Sequence, residues 1–131
     1  AVLCHLVSRI RHHMRSDDLL GRFGGEEFVL LLPGLDASTA LDVAERIRQA
    51  VHSHTDIISD QAITLSVSVG VAGTCTHGHD FDALIAAADA ALYRAKAMGR
   101  NRVEVSTESG DELRDNVALR LLSQFRHNLD V

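Results

Sequence analysis

Apolar side chains recur along the chain with two distinct periods. Val2, Leu3, Leu6, Val7, Ile10 and Met14 step by three and four, which predicts a helix from Val2 to Met14 or Arg15, broken by polar Ser16, Asp17 and Asp18. Leu19 to Phe23 and Phe28 to Leu32 are short apolar runs flanking Gly24-Gly25-Glu26-Glu27. That is the pattern of a β-hairpin whose turn uses glycine to reach positive φ, with Pro33-Gly34 ending the second strand. From Ser38 to Val51 the apolar positions Ala40, Val43, Ala44, Ile47, Ala50 and Val51 return to helical spacing, with Asp36 or Ser38 as cap candidates. Ile63, Leu65, Val67, Val69 and Val71 alternate with Thr64, Ser66, Ser68 and Gly70, the signature of a half-buried strand.

Asp80 can cap a third helix carrying Leu84, Ile85, Ala88, Leu92 and Ala95, and Gly99 stands where a helix-ending glycine belongs. Arg102 to Val105 reads as a last short strand. After a polar break at Ser106 to Asp111, the positions Leu113, Val117, Leu121, Phe125 and Leu129 recur every four residues and predict a terminal amphipathic helix. Residues 106–131 are thus expected to be an appendage on a domain spanning 1–105, folded back on it or paired with a second chain. The element order α-β-β-α-β-α-β implies an α/β (α+β) sandwich, a mixed sheet with helices packed against it.

At 131 residues the chain can close one core without a disulfide or metal staple. A formal net charge of −5 argues against DNA or RNA held through a general basic field. Cys4 and Cys75 form no close pair, which fits reduced thiols in the cytoplasm. No apolar run approaches the roughly 20 residues of a membrane span, so direct membrane insertion of this chain is not expected. Helical spacing begins at Val2 without a capping residue, and the first residue is Ala1 rather than Met, so a segment upstream is expected.

Adjacent glycines followed by two acids put carboxylates on an exposed tip that a bulky ligand can approach. Carboxylates are hard oxygen ligands for Mg²⁺, which neutralises phosphate oxygens during phosphoryl or nucleotidyl transfer. Taken alone, the same residues also suit a solvated turn. Lys96 and Arg100, four apart, are expected on one face at the end of the third helix, where they would meet phosphate or offset the helix dipole. The pairs His12-His13, His52-x-His54 and His77-x-His79 resemble fragments of metal sites without a closed ligand set, and are read as solvated. Phe28 and Tyr93 are read as core residues.

Several separated segments agree with one family. Arg22-Phe23-Gly24-Gly25-Glu26-Glu27-Phe28 resembles the GGDEF/GGEEF signature of diguanylate cyclases. Ala44-Glu45-Arg46-Ile47-Arg48, Ser66 to Ala72, and Ala88 to Lys96 running into Gly99-Arg100-Asn101 follow in the family's order. The resemblance covers roughly residues 1 to 105. It implies a palm-like nucleotidyl cyclase fold with a mixed, mainly antiparallel sheet, and condensation of two GTP into cyclic di-GMP with release of pyrophosphate. Mg²⁺ or Mn²⁺ is the implied cofactor, and a second GGDEF domain, as a homodimer, the implied catalytic partner.

Carried over by position, Glu26 becomes a metal ligand and Glu27 a second catalytic acid, while Gly24 and Gly25 let substrate lie against the turn. Lys96 and Arg100 become phosphate contacts. Arg15-Ser16-Asp17-Asp18 matches the family's RxxD inhibitory site for cyclic di-GMP, with Arg15 and Asp18 as its ligands and Arg46 as a further arginine. The family domain opens with a strand and helix that precede Ala1 in this numbering and carry another metal aspartate and the guanine-reading groups. The 131 residues alone are therefore expected to be catalytically incompetent. Because the missing strand is interior to the family's sheet, some replacement is expected: the chain is a trimmed piece of a longer protein, a cleaved product, or completed by strand exchange with a partner. The competing functional reading is a silent module that senses cyclic di-GMP through Arg15 and Asp18, and a third is a dimer-forming scaffold.

Overall fold

The computed structural model describes residues 2–24, 26–35, 37–52, 55–58, 60–73, 81–106 and 116–127. Along the chain these form α1 (Val2–Arg11), β1 (Leu19–Gly24), β2 (Glu27–Pro33), α2 (Ala37–His52), β3 (Thr55–Ile58), β4 (Gln61–Gly73), α3 (Phe81–Ala97), β5 (Val103–Val105) and β6 (Asn116–His127). The sheet runs β1-β2-β6-β4-β3, with β5 also paired to β4. All pairs are antiparallel except β4 with β5. The mixed, mainly antiparallel sheet is the architecture implied by the resemblance.

The strict alternation in β4 decides how the layers form. Val67, Val69 and Val71 are buried on the face covered by α1 and α2, packed with Leu6, Ile10, Ala40, Val43, Ala44, Ile47 and Val51, and β2 adds Phe28, Leu30 and Leu32. Ser68 and Gly70 project the opposite way, under α3. A Cβ at Gly70 would overlap the Ala88 carbonyl and the Leu92 amide, so glycine is what lets the α3 backbone rest on the strand. Phe28 is in the core as expected, but Tyr93 is 71% exposed. Its neighbours Ala91, Leu92 and Ala95 take the buried positions of α3, leaving Tyr93 on the outer side.

Three features differ from the sequence expectations. The first helix stops at Arg11, and His13 and Met14 are instead tied by i→i+3 backbone bonds to Ile10 and Arg11 (3.0 and 3.1 Å). A strand, β3, precedes β4 and pairs with its first residues. Most consequentially, the terminal helix expected through Leu113, Val117, Leu121, Phe125 and Leu129 is a strand over 116–127.

The reason lies in the periodicity. A spacing of four is also two strand periods, so those apolar positions fit either element. The open edges of β2 and β4 decide between them, because unpaired interior backbone is costly. β6 pairs with β2 from Glu27↔Leu122 to Pro33↔Asn116 and with β4 from Ile63↔His127 to Gly73↔Val117. Leu121 is fully buried between them. β6 thus takes an interior place in the sheet, between β2 and β4. The proposed caps Asp36 and Asp80, together with Cys75, His54, His77, His79 and most of the polar break, lie outside the described residues.

Candidate functional site

The β1–β2 hairpin carries the carboxylates. Gly24 faces Glu27 across the pair, and the register shifts between Arg22 and Gly24. Such a bulge bends the strand and re-aims a side chain, and Phe23, at the shift, is 57% exposed. Glu26 is exposed and Glu27 half-buried at the first position of β2; Gly25 lies outside the described residues.

Beside the hairpin an open groove of about 450 Å³ is lined by Cys4, Val7, Ser8 and Arg11 of α1 and by Arg22 and Phe28. Its walls are mainly apolar, and each side contributes one guanidinium. Arg11 and Arg22 were not singled out from sequence. The signal was present in the helical stripe 4-7-8-11, which puts Arg11 on the groove face.

The basic pair is arranged differently from its expected form. α3 ends at Ala97, so Arg100 does not continue the face that carries Lys96. Gly99, at φ 117°, ends the helix as predicted, with Arg100 N–H donating to Ala95 O (2.8 Å) and Gly99 N–H to Lys96 O (3.4 Å), a Schellman closure. Arg100 is therefore displayed from a loop with φ 66°, and Asn101 follows at φ 46°.

The sheet register shows how these parts relate. Glu27 pairs with Leu122, Leu122 pairs with Ser68, and the Ser68 hydroxyl accepts the Asn101 N–H at 3.0 Å. Glu27 and Ser68 are thus level with each other, about 10 Å or two strand spacings apart across the sheet, and the Arg100 loop lies one step further out, on the edge of β4 away from β6.

The second cluster stands elsewhere. The Asp18 carboxylate, whose side chain is 2% exposed, accepts from Arg15 N–H (2.8 Å), Nε (3.2 Å) and Nη2 (2.8 Å), and Arg15 Nη2 also donates to Pro33 O (2.6 Å). The bonds to Asp18 hold the Arg15 pKa above its ordinary value. Arg46 of α2 lies close enough to His13 to help lower that imidazole's pKa, behind desolvation and His12. Pro33 is at the far end of β2 from Glu27, so this cluster is roughly 20 Å of strand away from the carboxylate tip.

Hard carboxylate oxygens on an exposed turn suit Mg²⁺, which is commonly held by one or two carboxylates plus substrate phosphates. Among the described residues no group of three or more His, Cys, Asp or Glu converges on a metal position. Glu26 and Glu27 are adjacent carboxylates at the hairpin. Among the described residues, too, no helix is long and apolar enough to cross a membrane.

A carboxylate-bearing hairpin, an adjacent groove and a cationic loop are thus carried on one mixed, mainly antiparallel sheet. Comparison with known proteins gives the family. The model for the diguanylate cyclase GGDEF domain matches residues 1–102. The chain is 38% identical over 104 residues to response regulator PleD of Caulobacter vibrioides, covering 78% of this chain and 23% of that protein. It is 36% identical over 105 residues to diguanylate cyclase A of Treponema denticola, covering 80% and 28%. The chain therefore spans only about a quarter of the length of these curated relatives.

Among solved structures, the GGDEF domain of DgcB from Caulobacter crescentus in complex with c-di-GMP matches with a TM-score of 0.73 and 31% identity, over 80% of this chain and 63% of that one. The active GGEEF domain of a Vibrio cholerae diguanylate cyclase matches with a TM-score of 0.70 and 32% identity, over 82% and 68%. The chain belongs to the GGDEF-domain family of diguanylate cyclases.

Proposed function

We propose that this chain is the catalytic-domain portion of a cytoplasmic diguanylate cyclase that condenses two GTP into cyclic di-GMP. In each half-reaction the 3′-hydroxyl oxygen of one GTP forms a bond to the α-phosphorus of the other. The bond from that phosphorus to the pyrophosphate leaving group breaks, and the hydroxyl proton is lost. Two such events close the ring and release two pyrophosphates. The reaction needs two GGDEF domains face to face, a homodimer in the simplest case, each presenting one GTP.

The observation that carries this reading is the placement of the Gly24–Glu27 hairpin, beside an open groove, at the level of the β4 residue on which the Arg100 loop docks. In this reading Val7 supplies apolar surface to the base, and Arg11 and Arg22 flank it. Gly24 and Gly25 admit the nucleotide against the turn. Lys96 and Arg100 hold the phosphates in line, work that is mainly positioning and charge neutralisation. Glu26, with Glu27 beside it, would hold Mg²⁺ or Mn²⁺, which when bound supplies charge neutralisation to the phosphate oxygens. Arg15, Asp18 and Arg46 form a separate site for the product.

The test is synthesis by the protein read from the complete open reading frame. With GTP and Mg²⁺ it should yield cyclic di-GMP, and Glu26→Gln should remove most of that activity with the fold intact. Undiminished synthesis by the variant would remove Glu26 from the metal site. A second reading, a silent cyclic di-GMP sensor, is favoured by the ordered Arg15–Asp18 pair; it predicts product binding without synthesis in that same protein.

A further inference from the structure

The inward-facing serine of β4 has a definite use. A buried hydroxyl is tolerated only if it is paired, and Ser68, fully buried on the face opposite the β4 valines, accepts the backbone N–H of Asn101. From the other layer, Arg48 of α2 donates through Nη1 to Asn101 Oδ1 at 3.2 Å. Arg48 is itself fixed by Glu45: its Nε lies 3.0 and 3.1 Å from the two carboxylate oxygens, and its Nη2 also donates to Oε2. These bonds raise the Arg48 pKa and lower that of Glu45.

The grip is needed because of the backbone it holds. Arg100 and Asn101 are consecutive non-glycine residues with positive φ, a conformation that costs energy and persists where surrounding contacts over-determine it. On the outer edge of β4, β3 covers residues 61–64 and β5 covers 69–71. The loop docks at Ser68, just short of β5, where α2 and α3 both reach it.

We infer that Glu45, Arg48 and Ser68 are positioning residues that clamp Asn101 and so preorganise Arg100 for the nucleotide phosphates. This rests on the reading of Arg100 as a phosphate contact. A fork with one side committed to Glu45 leaves Nη1 in a fixed direction, which an ammonium cannot reproduce. The clamp joins two layers of the domain at the residue next to the reacting phosphates, while none of its three members touches substrate.

The experiment is calorimetric titration of the full-length protein with a non-hydrolysable GTP analogue in Mg²⁺, alongside steady-state kinetics. Arg100→Ala sets the loss expected when the phosphate contact is gone. Asn101→Gly keeps the backbone conformation and the Ser68 bond but deletes the acceptor for Arg48, whereas Asn101→Asp keeps that acceptor. Asn101→Gly and Arg48→Lys should each weaken analogue binding by roughly three- to tenfold. KM for GTP should rise in parallel with kcat little changed, and Asn101→Asp should restore near-normal binding.

If Arg100→Ala weakens binding while Asn101→Gly and Arg48→Lys bind normally, the clamp is overturned and the phosphate role stands. If Arg100→Ala binds normally, the phosphate role falls and the inference falls with it. A drop in kcat at unchanged KM in the clamp variants also overturns it, as would failure of Asn101→Asp to rescue.

Discussion

Glu45 and His13 tie the stability of the domain to pH in the same direction by different means. The Glu45 carboxylate is held below its ordinary value of 4.5, chiefly by hydrogen bonds from Arg48. Its contribution is complete above that value and is lost as pH falls through the folded-state pKa. The His13 imidazole is held below 6.5, first by desolvation and then by the positive fields of His12 and Arg46. Between its folded pKa and 6.5 the unfolded chain binds more protons, so stability falls as pH drops below 6.5. A thermal unfolding series from about pH 7.5 to about pH 4 should therefore decline in two steps, and His13→Gln should flatten the upper one. A flat profile down to about pH 5 in the unmodified protein would remove His13 as a contributor. At this scale the carboxylates Glu26 and Glu27 and the cations Lys96 and Arg100 could be singled out from a motif, because a motif reports local chemistry. The Arg48–Asn101 contact was not, since 53 positions separate its partners and only the packed layers bring them together.

Elements that answer to one period were read correctly, and the one that answers to two was not. The valine alternation of β4 admits only a strand, and Gly99 ends α3 where the sequence placed it. The spacing of four in residues 113–129 satisfied a helix locally, and the unpaired edges of β2 and β4, which no local pattern reports, made it a strand. β3 escaped notice because Thr55–Ile58 is too short for a period to be counted. The interior placement of β6 has a measurable cost attached. Leu121 is fully buried, so Leu121→Ala should lower unfolding free energy by about 2–5 kcal/mol in denaturant titration. A loss below about 1 kcal/mol, as expected of a solvent-facing helix position, would contradict burial inside the sheet.

On the scale of the molecule, the hairpin spans the two proposed sites. The carboxylate tip is at one end of β2, and the Arg15–Asp18 cluster meets Pro33 at the other. Their separation predicts that they fail independently. Arg15→Ala should weaken cyclic di-GMP binding by roughly tenfold or more, and Glu26→Gln should leave that binding within about twofold. Calorimetry on both variants decides the matter, and parallel loss in the two would place product and substrate in one site.

The strand order also governs how the domain is born. β2 and β4 leave the ribosome long before residues 116–127, and at roughly 5–20 residues per second the wait lasts several seconds. Throughout it, the edges of β2 and β4 that β6 comes to cover are without that strand. Such edges recruit any compatible strand. Shielding of those edges during synthesis, by a chaperone or by slow growth in the cold, should therefore raise the soluble yield of these 131 residues.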